Sequence, residues 1–225
     1  MKPEQSRPQT DAPNNRVKKE LLQNLFVTES PETSKEEGAT IMNELRDTFA
    51  QYHWFIGLAL MGSRLRGYST EGSDIDLKIF YRSSEISNVA LAVVIKKHTA
   101  EIKDKTCRIT IPYFVGINTD KIQTGIQNVD SREGLDALLT IKDLSSPATG
   151  EKISGVRENI KGVLLQLDTE KKAEILDRVV DHAIREEKAS ERKLMVRLSM
   201  TEEDMVDFWE ARRRLWTEHI HDLWS

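Results

Sequence analysis

The 225-residue chain has a single cysteine, Cys107, so neither an intramolecular disulfide nor a paired-thiol metal site can be built from it. A reducing compartment is the expected setting. No apolar run approaches the roughly 18 residues of a membrane-spanning helix. The opening MKPEQSRPQTDAPNNR lacks the apolar core of a signal peptide. The expectation is a cytoplasmic protein with no membrane contact. An excess of one charge is missing too: 33 Lys and Arg against 37 Asp and Glu leave a net −4, with no broad positive field for duplex nucleic acid, although a local basic cleft can still grip phosphates. None of the five histidines, among them His53, His98 and His182, stands at a metal-ligand spacing such as H-E-x-x-H. What remains is a globular profile, 38% hydrophobic and 31% charged, long enough for one ordinary domain with an appendage or for two small ones.

Residues 1 to about 16 hold Pro3, Pro8 and Pro13 among polar residues and read as a disordered tail, followed by an apolar group, Leu21, Leu22, Leu25, Phe26 and Val27, that can form a docking helix. Together, residues 1–33 are expected to be disordered or loosely docked. Ile41, Met42, Leu45 and Phe49 recur at helical spacing behind Ser34 as N-cap, which predicts a helix from Lys35 to about Gln51. Trp54 to Met61 is a short, almost wholly apolar run, as a strand buried on both faces requires. From Ile75 to Tyr81 apolar residues alternate with Asp76, Lys78 and Phe80, which predicts a second strand. Glu85 to Lys97 reads as a helix packed through Ile86, Val89, Ala90, Val93 and Val94, and Cys107 to Val115 as a strand whose Pro112 suggests an edge. Mixed helical signals lead to a loop, Ser145 to Gly150. Beyond it the periodicity is helical, and the last helix opens on Thr201 with Glu202, Glu203 and Asp204 in its first turn. The architecture expected is α/β (α+β), a small mixed sheet over residues 34–145 followed by a helical unit over 146–225.

The stretch that carries chemistry runs from Leu60 to Leu77, LMGSRLRGYSTEGSDIDL. In a strand, alternate side chains share a face, so Asp74 and Asp76 project together with Cα atoms about 7 Å apart. Two carboxylates so placed suit a hard cation that keeps waters and takes its remaining oxygens from a substrate phosphate, which points to Mg2+. Gly62 and Ser63 follow directly from the buried strand, where backbone N–H groups and a hydroxyl can cradle phosphates. Arg64 and Arg66 are either extra phosphate contacts or solvated loop residues.

Apolar-Gly-Ser, a short loop and Asp-apolar-Asp-apolar resemble the nucleotidyltransferase superfamily that includes DNA polymerase β. Gly-Ser-Arg-x-Arg-Gly followed by Ser-Asp-Ile-Asp-Leu is similar to its minimal and antibiotic nucleotidyltransferases. The resemblance covers Ser34 to Val115, with the signature confined to Met61 to Leu77. It implies that Gly62, Ser63 and Ser73 bind the nucleotide and that Asp74 and Asp76 are catalytic and hold the metal, Mg2+ or alternatively Mn2+. An NTP, with ATP the first expectation, would pass its nucleoside monophosphate to the hydroxyl of an unidentified acceptor (small molecule, protein or RNA end) and release pyrophosphate. One position departs from the pattern. Where the family carries a third carboxylate on a later strand, Arg108-Ile109-Thr110-Ile111 offers Thr110, with Glu101 and Asp104 upstream as substitutes.

That departure opens a rival reading: a degenerate, antitoxin-like fold acting through a protein partner, or self-associating, by way of the aromatic last helix with its stripe Met205, Phe208, Trp209, Leu215, Trp216, Ile220 and Leu223. A third reading takes Arg214 and His219 as resembling the Arg-x4-6-His signature of HEPN-type RNases; the alternative for this pair is the polar face of an amphipathic helix.

Overall fold

The computed structural model describes residues 13–26, 32–66, 73–101 and 109–225. Helix α1 (Pro13–Leu21), helix α2 (Glu32–Ala50), strand β1 (Phe55–Leu60), the short helix α3 (Gly62–Leu65), strand β2 (Ile75–Arg82), helix α4 (Asn88–Glu101) and strand β3 (Ile109–Ile117) come first. Helices α5 (Thr119–Gln127) and α6 (Arg132–Leu144) and the two-residue strand β4 (Ala148–Thr149) follow. The chain closes with helices α7 (Ile153–Leu164), α8 (Thr169–Lys188), α9 (Glu191–Leu198) and α10 (Glu202–Trp224). The class is mixed α/β with a helical C-terminal region, and the sheet runs in the order β3-β2-β1-β4.

β2 is central, antiparallel to β1 and parallel to β3. Its alternation divides the protein into two packed layers. Ile75, Leu77, Ile79 and Tyr81 face α2 and α4, where they meet Ile41, Leu45, Phe49, Leu91 and Ile95. Phe80 packs on the other face in a core shared with Ile56, Val115, Ile141, Ile160, Val179 and Ile220. The strand period therefore turns Asp76 and Lys78 toward the C-terminal helices as well. β3 is the edge strand that Pro112 suggested, and its register slips from Asp76↔Thr110 to Lys78↔Tyr113, so an extra residue is accommodated beside the proline.

Three expectations need correction. The segment 145–150 is not all loop, because Ala148 and Thr149 pair with Ala59 and Leu58 of β1. α4 buries Leu91, Ile95 and His98, whereas Val89 and Val93 are exposed; the sheet face lies one helical step away from the stripe read in the sequence. His98 pairs with the Tyr52 hydroxyl at 2.7 Å inside an aromatic group with Phe49. Of the proposed tail, residues 1–12 lie outside the described residues, and Pro13 onward is helical.

α10 begins with a reciprocal cap: Thr201 Oγ accepts from Asp204 N–H and Asp204 accepts from Thr201 N–H. Lys18 of α1 donates to the same carboxylate at 2.7 Å and holds it down to about 2. The aromatic stripe of α10 is covered by this chain. Met205, Phe208 and Trp209 pack with Leu21, Leu194 and Leu198, while Trp216, Ile220 and Trp224 enter the larger core. No helix among the described residues is long and apolar enough to cross a membrane.

Candidate active site

β1 ends at Leu60, and Gly62 opens α3 with φ +64°, a left-handed conformation that glycine adopts without strain. The turn is tied to β2 by Met61 N–H, which donates to Asp76 O at 2.8 Å. The approach of the two segments is close enough that a Cβ on Gly62 would fall 2.3 Å from Asp76 Oδ2. Gly62 and the second acid of the pair thus occupy one place, fourteen positions apart in the chain but in contact in the fold. An alanine at 62 would carry the left-handed cost of roughly 1–2 kcal/mol and displace the Asp76 carboxylate. Gly62→Ala is expected to lower the thermal midpoint by about 2–8 °C and to weaken metal-dependent nucleotide binding; unchanged binding by calorimetry would contradict this geometry.

Arg64 is the residue the sequence undersold. It is only 4% exposed, and its guanidinium donates to Ser73 O at 2.8 Å and Asp74 O at 3.2 Å. It fixes the backbone immediately before the acids instead of reaching into solvent, and no local pattern announces that role. Asp74 and Asp76 are both half-buried. Burial, and after it the Asp74 charge, push the Asp76 carboxyl above its ordinary range, while Lys193 and Arg64 pull the other way. Such a pair repels itself until a cation arrives. No group of three or more His, Cys, Asp or Glu that could hold a metal occurs among the described residues. Two oxygen donors on one strand face have the chemistry of an oxygen-loving ion that takes further ligands from substrate and water.

Thr110 stands in register with Asp76 on β3, the position where a third carboxylate is expected. Of the proposed substitutes, Glu101 closes α4 instead of entering β3, and Asp104 lies outside the described residues, as do Gly67 and Gly72. Ser63 lies in α3 and Ser73 just ahead of β2, beside the acids.

Beyond Asp76 on the same strand face, the Lys78 ammonium is buried and donates to Asp143 Oδ1 of α6. Lys142 bonds Asp143 at 2.7 Å and also Glu186 of α8. Burial works against the charges of Lys142 and Glu186, but their partners outweigh it: Lys142 is raised by Asp143 and Glu186, and Glu186 is lowered by Lys78, Lys142 and Arg66. This chain of charges joins the acid-bearing strand to the C-terminal helices. Its sequence signal is a lysine that follows Asp76 on the same face of β2. Tyr113, the register partner of Lys78, has that ammonium 5.8 Å from its ring centre. From there a cavity of about 640 Å3 follows β3 toward Asn118, between that strand and α5 and α6, lined among others by Lys121, Arg132, Glu133, Asp136 and Asp143.

Residues 42–123 match the family model described as a nucleotidyltransferase domain. Over this segment the chain is similar to nucleotidyltransferase domains. No curated protein and no solved structure matches the chain. The domain contains Gly62, Ser63, Asp74, Asp76 and Thr110, and the match supports transfer of a nucleoside monophosphate as its general chemistry. Arg64 and Lys78 also fall within the matched segment, whereas Lys142, Asp143, Glu186 and Lys193 come from the helices that follow it.

The RNase pair is not assembled. Five positions on one helix rotate Arg214 and His219 about 140° apart, and His219 Nε2 lies 2.7 Å from Ser145 O with its ring against Phe26 and Trp216. His219 serves packing.

Proposed function

We propose that the chain is a Mg2+-dependent nucleotidyltransferase that passes the nucleoside monophosphate of an NTP, with ATP the first candidate, to an acceptor hydroxyl and releases pyrophosphate. The observation that carries this reading is the close approach of Gly62 to the Asp76 carboxylate, which unites a phosphate-binding turn with an acid pair. Asp74 and Asp76 would hold the magnesium, or manganese in its place, and when bound the ion supplies charge neutralisation and polarisation of a phosphoryl oxygen. Backbone N–H groups of Gly62 and Ser63, with the Ser63 and Ser73 hydroxyls, bind and orient the phosphates. Arg64, by holding the Ser73 and Asp74 carbonyls, keeps the acids in place so that little reorganisation is needed at the moment of reaction.

The cavity along β3 is the acceptor's seat in this reading. Asp143, in its lining, accepts a bond from Lys78, which follows Asp76 by one step on the same strand face. Its volume and polar lining suit a small hydroxyl-bearing molecule. With Thr110 beside Asp76, the acceptor meets no carboxylate at the usual position, and turnover is expected to fall roughly 10²- to 10⁴-fold below that of an enzyme with a general base there.

Thr110 also favours a second reading, a nucleotide-binding module without turnover. Pyrophosphate release from each of the four NTPs, with Mg2+ or EDTA and a panel of small polyols, separates the two. Release that requires the metal and disappears in an Asp74→Ala/Asp76→Ala chain is the expected result. Metal-dependent binding with no release in any combination would leave the binding module.

A further inference from the structure

The first half of α10 is covered on one side only. Met205, Phe208 and Trp209 pack inward, but Val206, in the turn between them, is 59% exposed. It lines a groove of about 470 Å3 whose buried floor is Ile184 of α8 with Met205 and Trp209, and whose exposed rim includes Lys188, Glu202 and Arg213. None of Gly62, Ser63, Ser73, Asp74 or Asp76 lines it. The rim carries both signs of charge. Glu202 and Glu210 make no ion pair among the described residues. Lys188 sets its ammonium 5.6 Å from the centre of the Trp209 ring, and Arg213 pairs with Asp181 of α8. The Trp209 indole N–H is buried and, among the described residues, finds no acceptor, which is rare for a native side chain.

An exposed valine beside an apolar groove, framed by unlike charges on one helix, has the make-up of a surface complementary to itself. We infer that α10 is a two-fold interface through which the chain pairs with a second copy, Val206 of each entering the groove of the other. In antiparallel helices related by a two-fold axis every contact occurs twice, and all contacts share one centre. Setting Val206 over Trp209 of the second copy puts that centre between Asp207 and Phe208. The same centre sets Glu202 opposite Arg213, with no further adjustment. Glu202, Val206 and Arg213 recur at i, i+4 and i+11, so they share one side of α10. Two Glu202–Arg213 pairs then flank the valines, about 16 Å apart along the helix. The guanidinium has donors for Asp181 and Glu202 together, and Lys188 remains in the groove as the counter-charge to Glu210. Two helices meeting over about three turns bury less than the roughly 800 Å2 per partner of a standard interface. The dimer is therefore a weak one, with Kd on the order of 1–100 µM.

The test is sedimentation velocity of the full chain from about 1 to 300 µM, on wild type, Val206→Asp, Glu202→Arg, Arg213→Glu and the combined Glu202→Arg/Arg213→Glu. All three positions are exposed, so each variant is expected to keep the fold, which its thermal midpoint checks. Wild type is expected to pass from monomer to dimer across this range. Val206→Asp places a carboxylate over the apolar floor twice and weakens the dimer about 100-fold or more. Each single reversal sets like charges face to face at two places and weakens it about 10-fold. The combined variant re-forms both pairs with the signs exchanged and returns to within about threefold of wild type. A monomer throughout the range would overturn the inference and leave the groove to a different protein. A dimer indifferent to Val206→Asp, or single reversals that the combination does not rescue, would overturn it as well, because the contact would then lie elsewhere.

Discussion

Asp76→Asn is expected to lose nucleotidyl transfer by about 10³-fold or more while melting slightly higher than the parent chain in metal-free buffer. The two effects share one cause. Burial and the neighbouring Asp74 raise the Asp76 carboxyl above its ordinary 3.8, so in the native chain the ionised form is held at a cost that the unfolded chain does not bear. The sign follows directly: a raised native value favours folding when the group is protonated, and that advantage is lost as pH rises through it. At neutral pH the parent carries the full penalty and asparagine removes it. Below about pH 3.8 both states are protonated and the difference closes. A gain of about 1–3 °C at pH 7 that shrinks toward pH 4 is expected from thermal scans in EDTA. Added Mg2+ should reverse the order, because only the parent can bind it at full strength. An asparagine chain that melts lower throughout would mean that Asp76 is a structural acid.

The largest loss of stability is expected at Arg212, far from the acids. Its guanidinium is 1% exposed and makes two bonds to Glu187, at 2.9 and 2.6 Å, and further bonds to the carbonyls of Leu21, Asn24 and Leu25. Trp216 Nε1 adds a bond to the same carboxylate at 3.1 Å. One fork therefore joins α8, α10 and the turn after α1. Arg212→Met leaves Glu187 buried without its charge partner and three carbonyls without their donor, at a cost of roughly 3–5 kcal/mol, or about 10 °C in midpoint. Arg212→Lys cannot reproduce the fork and recovers little. Arg212→Met combined with Glu187→Met should recover part of the loss, since the stranded charge is gone but the carbonyls remain unsatisfied. Limited proteolysis adds a specific readout, with cleavage within residues 13–26 preceding global unfolding in Arg212→Met. A midpoint within 2 °C of wild type, about the effect of 1 kcal/mol or less, would contradict this account of the clamp.

Much of the segment that carries the acids is legible from local pattern because its devices are local. The apolar run at β1, the alternation at β2 and the adjacency of Gly62 and Ser63 to a strand end all express backbone period and steric demand. The resemblance put Thr110 where a third carboxylate is expected, and the register sets that position opposite Asp76 even though β3 carries an extra residue at Pro112. What local pattern does not carry is the partner of a charge. Arg64 and Arg66 look alike in sequence, yet one is buried on the Ser73 and Asp74 carbonyls and the other reaches Ser190. Lys78, Lys142, Asp143 and Glu186 are separated by up to about a hundred residues and become one cluster only when α6 and α8 fold over the sheet. The face of α4 was misread because valines at 89 and 93 satisfy a helical stripe as well as Leu91 and Ile95 do, and packing against β2 decides between them. The stripe on α10, offered by the sequence as a face for a partner, is covered by α1, α8 and α9 of the same chain.

The central claim is that Asp74 and Asp76, with the Gly62 turn beneath them, form a metal-dependent nucleotide site. Titration of ATP, GTP, CTP and UTP into the full chain, with and without Mg2+, and into Asp74→Ala/Asp76→Ala, tests it most directly. Binding of at least one nucleotide that needs the metal and vanishes in the double variant is the predicted result. Nucleotide affinity that is the same with and without Mg2+, or that survives loss of both acids, would contradict it.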